Sequence, residues 1–348
     1  MLQGKEYVPL LKTGVAEIGA YRSLFPDVRD LTFPIFNMRP WPNASHFQFT
    51  LSKTIEASAG FPFGLALDVD RRGRSSNLAA QQEFDALFVP DGGYSAYYNL
   101  VESVPEAVPV LIDASCPLVM GQQLANAAAL DRGLIIYQGR GLPGSIWNMI
   151  SQIGEMPHDT VVVIDAGWSR DYLSQEAWIL PIAEQIIGAL PTAEFVVMSS
   201  SFPDSFSHIV GHSEENATER RLFWVVRQRF QQADITYGDW GSTRVSTGGG
   251  GGGIPSRVDV PSIGSWHIFR ADPKNDLGFC EMAWDAQHHP CFSVLPDSWG
   301  KEMIQITDDE GSGITSRPTA TQVRINLHMT IQSGAASVPP TDEIPYED

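Results

Sequence analysis

The sequence predicts an α/β chain folded as a (β/α)8 TIM-like barrel, with an insertion after the third strand and a C-terminal extension. Three observations carry that prediction. Short apolar runs rich in β-branched residues recur eight times, helical patterns fill the gaps between them, and 348 residues hold one barrel of roughly 250 residues plus additions. A strand followed by a helix and then a parallel strand crosses over right-handedly, and eight such units close a sheet on itself.

The eight runs are 7–12 (YVPLLK), 31–38 (LTFPIFNM), 61–68 (FPFGLALD), 108–113 (VPVLID), 134–138 (LIIYQ), 160–165 (TVVVID), 194–199 (EFVVMS) and 234–239 (DITYGD). Helices are expected over 14–25, 45–59, 118–132, 174–190 and 218–232. The third of these carries Ala125 and Ala129 in an alanine-rich pattern suited to close packing on strands. The stretch 76–106 is longer than one crossover needs, and Pro90-Asp91-Gly92-Gly93 splits it, so two short helices or a helix and an excursion are expected there.

On this reading the barrel occupies 1–245. The next segment, 246–262, contains six successive glycines at 248–253 and reads as a flexible loop; no Lys-Ser/Thr follows, as a phosphate-binding loop would require. From 263 to 334 the chain is rich in aromatic residues, among them Trp266, Phe269, Phe279, Trp284, Phe292 and Trp299. These are too apolar to leave in water and are expected to pack on the barrel. Residues 335–348 combine Asp342, Glu343, Glu347 and Asp348 with prolines, the composition of a disordered acidic tail.

Composition narrows the partners. The net charge of −18 opposes binding to a phosphate backbone, which makes nucleic acid an unfavourable partner. Cys116, Cys280 and Cys291 have no CxxC spacing and leave an odd thiol, which argues against a disulfide framework and a cysteine-rich zinc site and fits a reducing cytoplasm. Charged residues interrupt the first apolar stretches, so no signal peptide is expected, and no apolar run approaches membrane-spanning length.

In such barrels the chemistry sits where strands end and the following loops begin. That position selects Asp68, Asp165 and Asp239 as candidate catalytic residues. Lys12, Asn37, Arg39, Asp113, Arg140, Trp168 and Trp240 are candidate substrate-binding residues. Converging aspartates can hold a hard divalent cation, the cofactor such a mouth would use, or divide general-acid and general-base roles. Lys12, Arg39 and Arg140 suit an anionic group, while Trp168 and Trp240 offer either a stacking surface or a lid. Against this stands a bland alternative: a strand-end carboxylate often does no more than accept hydrogen bonds from the next helix. Among histidines, His288-His289 and the pair His208 and His212 stand out. The pair has the i, i+4 spacing of helical metal ligands, but the glutamate of HExxH is missing and Gly211 argues for a loop, so a surface pair is expected.

Four segments in order, YVPLLKTGVAEIGAYRSL, LTFPIFNM, YGDW after TERRLFWVVRQRF, and ATQVRINLHMT, resemble the beta protein family, named for a gene of a satellite coliphage. The resemblance runs from about Tyr7 to Thr330. It implies a barrel found in phages, prophages and bacterial genomes near mobile or defence-linked genes, and supplies no established reaction. Two departures are visible: Asn37 stands where the family's second strand ends in glutamate, and Val323-Arg324 with a single His328 replaces a Trp-Arg step and a paired histidine. The expected function is phage–host conflict, with the barrel mouth binding and hydrolysing an anionic, phosphorylated small molecule. The alternative is a non-catalytic antitoxin-like or sensor protein that binds a protein partner encoded nearby.

Overall fold

The computed structural model describes residues 1–74, 78–141, 159–243 and 255–335. The glycine run 248–253 and the acidic tail from 336 onward lie outside the described residues. Eight strands form one parallel sheet: β1 (Tyr7–Lys12), β2 (Ile35–Met38), β3 (Phe63–Leu67), β4 (Ala107–Pro109), β5 (Leu134–Gly139), β6 (Thr160–Trp168), β7 (Glu194–Ser200) and β9 (Ile235–Asp239). Their spatial order is β4-β3-β2-β1-β9-β7-β6-β5, and a bridge from Val110 to Ile135 joins the two ends. The Leu111 amide donates to the Ile135 carbonyl at 2.8 Å across that seam. The (β/α)8 barrel is therefore present, and each of its strands overlaps one of the eight predicted runs.

The helices follow the crossover logic. They are α1 (Val15–Arg22), α2 (Pro26–Asp30), α3 (Gln48–Ser58), α4 (Ala79–Ala86), α5 (Ser95–Glu102), α6 (Pro117–Leu130), α7 (Tyr172–Ala189) and α8 (Glu219–Arg229). Helices α4 and α5 form the insertion after β3, with Pro90 to Gly93 between them. Proline starts α2 and α6, where its missing N–H costs nothing.

Alternation along the strands sorts side chains into two layers. Val8, Ile35, Val108, Val110, Ile135, Val161, Val163, Val196 and Met198 fill the barrel interior. Tyr7, Leu11, Phe36, Met38, Phe63, Leu65, Ile136, Val162, Phe195, Ile235 and Tyr237 face outward into the helices. Each fully buried aliphatic side chain of this kind contributes roughly 1.5–3 kcal/mol. The interior is narrow: a Cβ at Gly238 would lie 2.7 Å from Val196 Cγ1 and 2.8 Å from the Val8 carbonyl, so only glycine fits.

Beyond the barrel, β8 (Gly211–Asn216), β10 (Arg257–Pro261) and β11 (Ser265–Arg270) form an antiparallel sheet in the order β10-β11-β8. Helices α9 (Phe279–Gln287), α10 (Pro290–Ser293), α11 (Trp299–Glu310) and α12 (Arg317–Ser333) complete the extension. Val258, Phe269, Met282, Ile304 and Leu327 belong to its own apolar core. Helix α12 packs against α1, β1 and β10, and buries Val323 through Thr330. Two local expectations need correction. Residues 257–261, placed in the flexible loop 246–262, form a strand because Val258 and Val260 alternate into the core and pair with β11. His212, placed in a loop, lies on a strand whose partner is more than 50 residues away.

No helix among the described residues is long and apolar enough to cross a membrane.

Candidate functional site at the barrel mouth

A cavity of about 570 Å³ opens at the C-terminal ends of the barrel strands. Its size is that of a small-molecule site. Eight of the ten residues selected from sequence line it: Lys12, Asn37, Asp68, Asp113, Arg140, Asp165, Trp168 and Trp240. Lys12 and Asn37 are register partners on β1 and β2, and Asn37 in turn pairs with Ala66 on β3, so these three positions form one rung of the mouth. Leu10, Leu67, Phe88 and Leu111 supply apolar wall.

The three aspartates have different surroundings. Asp68 follows β3 on the inward face shared with Ala66, and one oxygen, Oδ1, accepts from the Asp70 amide at 3.2 Å. Its other oxygen has no donor among the described residues. Burial raises its carboxyl above the usual range, and the nearby Lys12 cation opposes that rise. Asp165 also points inward, below the level of the rim. Its Oδ2 accepts from the Tyr137 hydroxyl and from Trp240 Nε1 at 2.9 Å, and its Oδ1 accepts from the Gly167 amide at 2.8 Å. Burial pushes its carboxyl up and the three donors restrain it. Asp165 is thus a fixed acceptor that orients Tyr137 and Trp240 on the cavity wall.

Asp239 does not reach the cavity. It shares the outward face of β9 with Ile235 and Tyr237, is 2% exposed, and lies beneath α12. Oδ1 accepts from Tyr7 Oη at 2.5 Å and the Gly241 amide at 2.7 Å; Oδ2 accepts from Tyr237 Oη and stands against His328 Nε2, each at 2.7 Å. Burial alone would raise this carboxyl, yet His328 and the tyrosine hydroxyls bring it below the usual value. The placement ties Asp239 to β1, β9 and α12 and leaves it out of the cavity lining.

Trp168 and Trp240 wall the cavity with their indole N–H groups engaged, Trp168 to the Phe202 carbonyl at 2.8 Å and Trp240 to Asp165. Arg140 is exposed at the rim and donates to Ser174 Oγ at 2.7 Å; Asp113 is exposed after β4. Among the described residues, no three of the strand-end carboxylates converge as a ready-made metal site.

Arg39, the tenth candidate, lines a second cavity of about 540 Å³ together with Lys12, Arg257, Arg270, Arg317 and Arg324, against Glu17 and Asp259. Lys12 and Thr243 line both cavities, so the two adjoin. The extension supplies four of these arginines. Arg324 is buried and donates to Asp259 Oδ2 at 2.8 Å and to the Ser242 carbonyl at 3.1 Å; desolvation lowers its guanidinium to about 10. Neither the Lys12 amine nor the Arg39 guanidinium has a hydrogen bond or ion pair among the described residues. Sequence reasoning missed Tyr137, although the alternation Ile135, Tyr137, Gly139 along β5 signals its inward direction. It also missed the arginines of the extension, which no local pattern brings to the mouth.

The motifs noted above thus converge in space: YVPLLK and LTFPIFNM form one side of the mouth, and YGDW meets LHMT through Asp239 and His328. Residues 7–334 match the family model described as Beta protein. The chain belongs to the Beta protein family. Protein beta of Enterobacteria phage P4 is 26% identical over 336 residues, covering 94% of this chain and 92% of the phage protein. No solved structure matches the chain. Asn37 lies on the wall of the mouth beside Lys12, so the position where the resemblance implies glutamate falls inside the cavity.

Proposed function

We propose that this Beta family protein acts in phage–host conflict by binding an anionic, phosphorylated small molecule at the barrel mouth. The observation that carries the proposal is Lys12: an amine with no hydrogen bond or ion pair among the described residues, placed where the aromatic-walled cavity meets the arginine-lined one. Six cations face two carboxylates around the second cavity, in a chain whose net charge is −18. Such local reversal of charge selects small anions while the overall field repels long polyanions. Trp168 and Trp240 offer flat walls for a planar portion of the ligand.

Hydrolysis of that ligand would run through Asp68. Of the three aspartates it alone joins a place on the wall to an oxygen without a donor among the described residues. Asp68 would be the protein residue that holds a divalent cation there, and the cation would supply neutralisation of phosphate charge and activation of a water. Isothermal titration with pyrophosphate and a panel of nucleoside mono-, di- and triphosphates tests the reading. At least one should bind, and the double substitution Lys12→Ala, Arg39→Ala should lower its affinity about 10–100-fold, the range for hydrogen bonds to charged groups. Equal binding by the double variant would overturn the proposal.

A second reading, a non-catalytic antitoxin-like or sensor protein, draws on Leu277, Trp284 and Val294, which are large apolar side chains exposed on the extension. A stoichiometric protein partner lost on Trp284→Ala, with indifference to Lys12→Ala, would favour it.

A further inference from the structure

We propose that His212, His267 and His289 form a binding site for a divalent metal of the zinc type, separate from the barrel mouth. The three rings come from different elements. His212 is on β8 and His267 on β11; pairing of Phe269 with His212 and of His267 with Glu214 puts both histidines on one face of the antiparallel sheet, two positions apart along the ladder. His289, just before α10, covers that face. Its ring centroid lies 4.3 Å from that of His212 and 5.1 Å from that of His267.

The nitrogens converge as well as the rings. One ring nitrogen from each histidine lies within 4.8 Å of the others. His212 Nε2 and His267 Nδ1 are 3.2 Å apart. Two nitrogens bound to one tetrahedral Zn²⁺ at 2.0–2.1 Å stand about 3.3 Å apart, so this pair already has the required bite. A carboxylate stands on the opposite side of His267: Glu214 Oε1 lies 3.8 Å from its Nε2, a small shift from hydrogen-bond distance, and is itself held by the Ser265 hydroxyl at 2.6 Å. A carboxylate behind a ligating imidazole fixes the tautomer that turns the other nitrogen's lone pair toward the metal. His289 is held only loosely where it stands, its Nδ1 accepting from the Cys291 amide at a long 3.3 Å.

Three imidazoles favour a borderline cation such as Zn²⁺ or Co²⁺ over Mg²⁺ or Ca²⁺, which take oxygen ligands. His212 is exposed, which leaves the fourth position open to water. Among the described residues no histidine lines the barrel-mouth cavity, so this metal and the ligand proposed there occupy different sites. A metal held here would join β8 and β11 to the helical layer that begins with α9 and α10.

Tag-free, chelator-stripped full-length protein titrated with Co²⁺ is the direct test. One equivalent should bind with the visible absorption of a four-coordinate site, Zn²⁺ should displace it, and Zn²⁺ should raise the melting temperature. His267→Ala and His289→Ala should each weaken binding at least about 100-fold, more than loss of an outer partner causes, whereas His46→Ala should not. Absence of stoichiometric binding, or binding intact in both variants, overturns the proposal. Should the variants fail to fold, anomalous scattering at the zinc edge from Zn²⁺-soaked wild-type crystals decides: a peak among the three rings supports the site, and no peak there sinks it.

Discussion

His328 Nε2 stands 2.7 Å from Asp239 Oδ2 in a fully buried contact that ties the last helix to the last strand of the barrel. Around it Tyr7 and Tyr237 donate to the same carboxylate, so β1, β9 and α12 meet at one group. Asp239→Ala removes the acceptor for four donors at once. Leaving the partners of a buried, fully hydrogen-bonded carboxylate unsatisfied costs about 3–5 kcal/mol. Urea unfolding should show that loss, while ligand binding at a temperature where the variant stays folded should persist, because Asp239 does not line the cavity.

The same residue shows how far the sequence could be read. Period-two alternation places Asp239 with Tyr237 and Ile235, but it does not say which face is inward. In β3 and β6 the inward face is apolar before Asp68 and Asp165. In β9 the inward residues are Thr236 and Gly238, small because the interior is crowded there, and the large apolar residues look out toward the helices. Strand count and position were legible because each parallel strand is a local apolar run. The pairing of β8 with β11 was not: it joins residues far apart in sequence, and the polar run HSEEN becomes a strand only beside β11. For the same reason the His212, His267 and His289 group has no signature in sequence spacing.

Gly238 tests the packing argument by itself. An added methyl group must displace the Val8 carbonyl or Val196. Gly238→Ala is expected to cost about 1–3 kcal/mol through overpacking, read as a lower urea midpoint with unchanged slope.

Asp165 and Asp239 should give opposite pH signatures. The Asp239 carboxyl lies below its ordinary value, so its contribution is present at neutral pH and is lost as pH falls through the folded-state value. The Asp165 carboxyl lies above its ordinary value because burial disfavours the charge. The native state therefore holds that proton more tightly, and the contribution of Asp165 declines as pH rises from the ordinary carboxylate value through the raised one. Asp68 and Glu219 are raised by burial too and act in the same sense, so wild-type data alone do not isolate Asp165. The difference between Asp165→Asn and wild type does: the variant should gain relative stability as pH rises across that window. A difference independent of pH, measured by urea unfolding at several pH values, would contradict the assignment.

Asn37 offers the most pointed probe of the mouth, because it sits beside Lys12 at the position where the family resemblance implies glutamate. Asn37→Glu places a carboxylate beside an amine that forms no ion pair among the described residues and has Asp68 as a nearby charge. The two should pair, and the amine would then be less available to a ligand phosphate. The proposed anion site predicts an affinity about tenfold weaker for the phosphorylated ligand, or roughly 1.4 kcal/mol. Added salt should weaken wild-type binding more than binding by the variant, since one attractive charge has been neutralised. Titration calorimetry at two salt concentrations measures both effects. An affinity and a salt dependence unchanged by Asn37→Glu would mean that Lys12 is not the group the anion meets, and the ligand would have to be sought among the arginines of the second cavity.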